Sequence, residues 1–188
     1  MTYNNIYKSL FKSETYNLHP DNELRYVLAL NFLKKFYTKG DSIIDISSGR
    51  GTLIKLLLDI YPKENIVSTD LEKFHPYEVK FIKLDLNNVQ DRENFSEKHK
   101  FLFALDCLEH LDKEQIDPIL KYLSSLANYS LFTIANHEEI INNIDLHRIK
   151  EDINYWTALI EKYFYINNKY TAYNNRLMVF ELINNQKS

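Results

Sequence analysis

Glycine is nearly absent from this chain, with three in 188 residues, and cysteine is present once, as Cys107. A single cysteine excludes an internal disulfide and any multi-cysteine zinc site, which fits a reducing compartment. Long hydrophobic runs are also missing: no segment approaches the ~20 apolar residues that a membrane-crossing helix needs. The amino-terminal stretch MTYNNIYKSLFKSETYNLHP lacks the apolar core of a signal peptide. A cytoplasmic protein without a membrane partner is therefore expected. Strong charge of one sign is absent too, with a net charge of -3 and a pI near 6.1, so nothing pulls the chain as a whole toward nucleic acid. Its Lys and Arg residues lack the interleaved aromatics of a single-strand binding groove. What remains, 45% hydrophobic and 26% charged residues, is the composition of an ordinary globular domain large enough to bury its own core.

The apolar periodicity organises the chain. From Pro20 a helix is expected, with Asp21 and Glu23 at its positive end and Leu24, Leu28, Phe32 and Phe36 recurring every four residues until Gly40 stops it. SIIDI then reads as a buried strand, TLIKLLLDIY as a helix, and NIVSTD, VKFIKLD and FLFALD as three further strands. Asp45 lies near the end of the first strand, and Asp70, Asp85 and Asp106 end the other three. DKEQIDPILKYLSSLA predicts a helix opened by a capping box of Asp112 and Gln115. YSLFTIA is a fifth strand, and a long connection from 136 to 148 leads to a helix carrying Ile153, Trp156, Ile160 and Tyr163. The tail predicts two antiparallel strands joined through YTAYNN. Strands alternating with helices, several of them apolar throughout, imply a mostly parallel sheet covered on both faces. Ligands of such sheets bind outside the carboxyl ends of the strands, which makes the strand-end aspartates candidates as a set.

Two of the three glycines, Gly49 and Gly51, fall in DISSGRG, at the first strand-to-helix turn. Glycine there permits positive φ and close approach of a ligand to the backbone, and the helix start presents free N–H groups. A dinucleotide fingerprint would need a third glycine where Ile54 stands. Asp45, just ahead of the turn, would repel a pyrophosphate but can accept hydrogen bonds from an ammonium group. The sign of the charge favours a ligand with a cationic end.

IIDISSGRGTL resembles motif I of class I S-adenosylmethionine-dependent methyltransferases, in which an acid precedes a glycine-rich turn; Ser47 stands where that motif has its first glycine. Asp70, about 20 residues beyond the glycines, is similar to the acid that binds the cofactor ribose in that family, and Leu71 follows it. Asp85 and Leu86 resemble the pair that meets the adenine. ALDCLEHL, with Asp106 and Cys107, resembles motif IV and the E-H-hydrophobic signature of small-molecule methyltransferases. Less extensively, YKSLF and YNLHP near the start and DLHRIKEDINYW near the end look like small methyltransferases of phage and surface-glycan contexts. The resemblance implies an α/β fold, with a doubly wound, mostly parallel seven-stranded sheet, an antiparallel C-terminal strand, helices on both faces and an N-terminal helical extension. Residues 1–40 would be the helical cap, 41–135 the cofactor-binding core, and 136–188 the acceptor-side loop, helix and final strands of a single domain.

S-adenosylmethionine is accordingly the expected cofactor, held by Asp45, Ser47, Gly49, Gly51, Asp70, Leu71, Asp85, Leu86, Asp106 and Cys107. Methyl transfer from a sulfonium is an in-line displacement that needs alignment and exclusion of water, with a base only where the acceptor must lose a proton. His110, four residues past Asp106, is the leading candidate base, because imidazole titrates near neutral pH. His137 and His147 in the connection after the fifth strand are the other catalytic candidates. The three histidines come from different segments without a ligand spacing, so no metal is expected. Tyr3, Tyr7 and Tyr16 are candidates for a lid. The expected acceptor is a small molecule such as a sugar, nucleotide-sugar or phosphorylated metabolite, methylated on O or N, and a homodimer is left open. Two alternatives compete: a non-catalytic binding or regulatory protein of the same fold, and an NAD(P)-dependent oxidoreductase.

Overall fold

The computed structural model describes residues 23–141 and 143–184. Pro20, Asp21 and the tyrosines at 3, 7 and 16 lie outside that range. Seven strands form one sheet in the order β3-β2-β1-β4-β5-β9-β8. They are β1 (Ile43–Ile46), β2 (Ile66–Asp70), β3 (Lys80–Lys83), β4 (His99–Leu105), β5 (Ala127–Ala135), β8 (Phe164–Ala172) and β9 (Leu177–Asn184). The first five run parallel, and β9 is antiparallel to both β5 and β8. The expected sheet is therefore formed, antiparallel finish included. β6 (Ile140–Ile141) and β7 (Ile144–Asp145) make a separate small hairpin within the long connection.

The strands are apolar throughout because both faces are covered. All four residues of β1 and all five of β2 are buried, and successive side chains point to opposite faces. Ile43, Ile66, Phe101, Phe103 and Val179 pack with α1 (Glu23–Phe36) and α2 (Thr52–Leu58), while Ile44, Ile46, Val67, Leu102 and Phe180 pack with α4 (Ile116–Leu126) and α5 (Ile153–Ile160). A short helix, α3 (Val89–Asn94), precedes β4 and is capped by the Asn88 side chain. The sequence pattern had not indicated α3, because six residues carry too little periodicity. No helix joins β2 to β3; His75 from that irregular stretch is buried instead, its Nε2 3.0 Å from Ser68 Oγ.

Several boundaries differ from the sequence reading. The capping box does not form: the Asp112 side chain pairs with Arg148, Gln115 accepts from Arg92, and α4 begins after a short 3-10 turn. Asp85 lies two residues beyond β3 and Asp106 one beyond β4. Tyr163 falls past the end of α5, bonding Asp117 through its hydroxyl. The exposed edges carry Lys80 and Lys83 on β3 and Asn168 and Lys169 on β8, polar residues that discourage strand-to-strand association.

Helix α1 is seated by aromatic packing and by an ion pair to β9. The Phe32 ring meets Phe101 and Phe103 edge-on, with centroids 6.4 and 6.3 Å away, and Lys35 Nζ donates to both carboxylate oxygens of the buried Glu181 on β9 at 2.8 Å. Val27, on the outer face, is half exposed, so the helix is amphipathic rather than buried all round. Phe32→Ala should lower unfolding free energy by about 3–5 kcal/mol, whereas Val27→Ala should stay within about 0.5 kcal/mol. Urea unfolding of the two variants checks the orientation of α1.

Candidate active site

The strand order reverses between β1 and β4, which places a crevice at their carboxyl ends. The backbone on both sides of it is unusual. Ser47, directly after β1, has φ +58°, and Asp106, directly after β4, has φ +49°. This left-handed region costs a non-glycine residue roughly 1–2 kcal/mol. Glycine is the unstrained choice at Ser47, which fits the glycine found there in the motif that the turn resembles. The Ser47 hydroxyl lies 2.9 Å from Cys107 Sγ, so the two strand ends are bridged across the crevice. Burial pushes the Cys107 thiol up and keeps it protonated. Asp106 is held by its N–H to the Thr133 carbonyl (2.9 Å), by Thr133 Oγ1 donating to Oδ1 (2.8 Å), and by an ion pair with the buried Arg25 of α1.

The glycine pair has a specific task at each position. Gly49, at φ +51°, donates its N–H to Asp70 Oδ2 at 2.8 Å, and Leu71 N–H donates to Oδ1 at 2.7 Å. Asp70 thereby ties the β1 turn to the end of β2, while each oxygen keeps a second lone pair for another donor. Gly51, at φ +73°, starts α2; a Cβ there would stand 2.7 Å from the Cβ of His75. Ser48 Oγ, between Ser47 and Gly49, is buried without a hydrogen-bond partner among the described residues. The sequence reading had passed over it.

Carboxyl groups crowd the floor. Asp45 is buried, and burial followed by the charge of Asp70 raises its carboxyl well above the usual range. Burial raises Asp70 to about 6, against the opposing pull of the Gly49 and Leu71 N–H groups. A cationic ligand end would relieve both. Asp85 accepts from Asn87 N–H at 3.0 Å, its own N–H donates to Asp91 at 2.9 Å, and Leu86 is buried beside it.

All three histidines picked from sequence converge beyond Asp106. His110 and His147 ring centroids are 4.7 Å apart, and His137 and His147 centroids 4.9 Å apart. His110 donates from Nδ1 to the Leu146 carbonyl at 2.9 Å, and His147 from Nδ1 to the His137 carbonyl at 2.6 Å. Burial, then the neighbouring His147, lowers His110 to about 4. Burial also acts to lower His147, but its hydrogen bond to Glu139 and the charge of Glu109 lift it to about 9. His137 is lowered by burial and by His147, and its ring meets the Arg176 backbone at the tip of the β8–β9 hairpin, where Asn136 N–H also bonds the Arg176 carbonyl at 2.8 Å. Glu109 is not among the site residues named from sequence. It is wholly buried, with Oε1 accepting from Ala135 N–H at 2.7 Å, and burial followed by the charge of Asp106 raises it to about 8. Its adjacency to His110 in the sequence was the available signal.

The sheet order and crevice define the fold of class I S-adenosylmethionine-dependent methyltransferases, and solved structures of that class superpose on the chain. The N-methyltransferase NodS of Bradyrhizobium japonicum, in complex with S-adenosylhomocysteine, matches with a TM-score of 0.73 over 99% of this chain and 100% of its own, at 8% identity. The 1,6-didemethyltoxoflavin-N1-methyltransferase of Burkholderia thailandensis matches at 0.75 over 97% and 87%, at 10% identity. The magnesium protoporphyrin IX methyltransferase of Synechocystis, with bound S-adenosylmethionine, matches at 0.68 over 98% of each chain, at 13% identity. Neither a protein-family model nor a curated protein matches the sequence.

Two outcomes test this geometry. Gly51→Ala should cost about 2–4 kcal/mol from positive-φ strain and the clash with His75, measured by urea unfolding. For Asp70, the native carboxyl at about 6 lies above an unfolded aspartate at about 3.9, so the native state binds more protons between those values. The associated stability is complete below about pH 4 and lost as pH rises through 6. Wild type should lose roughly 1–2 kcal/mol more than Asp70→Asn between pH 5 and 7.5.

Proposed function

We propose that this chain is an S-adenosylmethionine-dependent methyltransferase acting on an O or N atom of a small molecule. One observation carries the reading: Asp45, the Gly49–Gly51 turn and Asp70 meet at the reversal of strand order, under desolvated carboxyls that favour a cationic ligand end. When bound, the cofactor supplies a methyl group activated on a sulfonium. The residues present fit such a molecule. Asp45 accepts hydrogen bonds from its ammonium, and the turn from Ser47 to Gly51 brings bare backbone close to its methionine end. Asp70 accepts from the ribose hydroxyls with the lone pairs left beside Gly49 and Leu71, while Asp85 and Leu86 border the adenine. Asp106 and Cys107 close the floor beneath the reacting centre.

His110, His137 and His147 line the acceptor side. With its Nδ1 proton on the Leu146 carbonyl, His110 carries its lone pair on Nε2 and is neutral at physiological pH. It takes the acceptor proton as the new bond forms. His147 stays protonated and, through Glu139, orients polar groups of the acceptor. A sugar, nucleotide-sugar or phosphorylated metabolite suits this pairing of a neutral and a cationic imidazole. Surface-glycan biosynthesis in the cytoplasm is the setting that fits such an acceptor.

Titration calorimetry should give micromolar binding of S-adenosylhomocysteine and none of NAD or NADP; the reverse pattern would overturn the proposal. Asp70→Ala should weaken that binding about ten- to hundredfold. His110→Ala should lower labelled methyl incorporation into a metabolite pool by about 10²–10⁴ with cofactor binding nearly unchanged. Unchanged incorporation would remove His110 from the mechanism.

A further inference from the structure

The buried acceptor wall holds more ligating chemistry than proton transfer requires. Glu109 is 0% exposed, yet only its Oε1 is bonded; Oε2 has no hydrogen-bond partner among the described residues. A buried carboxyl oxygen left so costs free energy unless a further partner meets it. Glu109, His110 and His147 each offer one ligand atom, and these atoms all lie within 4.8 Å of one another.

The imidazoles are set as metal-bound imidazoles are. Each gives its Nδ1 proton to a backbone carbonyl, His110 to Leu146 and His147 to His137, which leaves Nε2 as the ring atom that takes up either a proton or an ion. His147 Nε2 then stands 3.3 Å from Glu139 Oε2. A lone pair facing a carboxylate is repulsive unless a proton or a cation sits between or beside them. A separation of 3.3 Å is what two ligands about 2.1 Å from one ion show at near-tetrahedral angles. Small side-chain torsions would draw the three ligand atoms to the same spacing.

We propose that Glu109, His110 and His147, with Glu139 at the rim, bind a divalent first-row transition ion on the acceptor side of the crevice. Two imidazoles with carboxylates suit Zn²⁺, Mn²⁺ or Fe²⁺, rather than the all-oxygen shells of Ca²⁺ and Mg²⁺. The histidines come from different segments without a ligand spacing, which points away from a metal in sequence; the fold supplies the grouping, with Glu109 completing it. Binding of the ion stands on this geometry alone. Its role rests on the methyltransferase reading: the ion would hold an acceptor oxygen and ease loss of its proton where His110 otherwise acts as base.

The test uses the full chain, stripped with a chelator and titrated with Mn²⁺ (by electron paramagnetic resonance) and Co²⁺ (by visible absorption), with S-adenosylhomocysteine binding measured on the same preparations. One ion per chain at micromolar concentration is expected. Glu109→Gln, His110→Ala and His147→Ala should each weaken it roughly tenfold or more. His137→Ala should retain it, because the His137 carbonyl rather than its ring holds His147. Should Glu109→Gln fail to fold, the partly exposed His110→Ala carries the test, with homocysteine-product binding as its folding check. Absence of ion binding by wild type, or equal binding by all three ligand variants, would overturn the site. Ion binding without S-adenosylhomocysteine binding would support the site and count against the cofactor reading instead.

Discussion

The carboxylate of Asp70, accepting one hydrogen bond from Gly49 and one from Leu71, is the constraint on which the rest of the crevice depends. It joins the first turn to the second strand, and so fixes where α2 begins, how far Gly51 approaches His75, and where Ser47 can reach Cys107. The arrangement is expensive, since the group is buried beside Asp45 and its ionised form is disfavoured. On the proposed reading, the charge of a cationic ligand end offsets that cost.

The opposite wall is braced differently. There α1 contributes Arg25 to Asp106, while Phe32 and Lys35 anchor the same helix to the sheet. The helix that covers one sheet face thus also neutralises a strand-end acid, coupling core packing to the electrostatics of the crevice. Ser47 and Asp106 keep left-handed backbones on adjacent strand ends. Both are over-determined by neighbouring hydrogen bonds, as strained functional positions generally are.

Much of this was legible in the residues. Apolar runs marked β1, β2, β4 and β5, and the aspartates at or just beyond the ends of β1 to β4 marked the edge along which the crevice lies. The three histidines were picked from three segments, and the fold brings them together. What was hidden has common physical causes. Asp112 and Gln115 match a capping box in sequence, but Arg148 and Arg92 compete for their side chains from distant segments. Glu109 reads as a surface charge because nothing local shows that Leu108 and Leu111 draw its turn into the core. α3 is too short for periodicity, and the left-handed state of Ser47 is a property of the turn rather than of serine.

The β8–β9 hairpin, whose turn places Tyr173, Asn174 and Asn175 at positive φ, ends with the Arg176 carbonyl on Asn136 and beside His137. An antiparallel ladder extends by about 3.4 Å per residue, and its register here is fixed by seven pairings with β5. Strand length therefore works as a ruler: it measures the height at which the hairpin tip meets the histidine wall. A longer or shorter final hairpin would hold that wall at another height and, on the proposed reading, admit acceptors of another size while leaving the turn at Gly49 and Gly51 untouched.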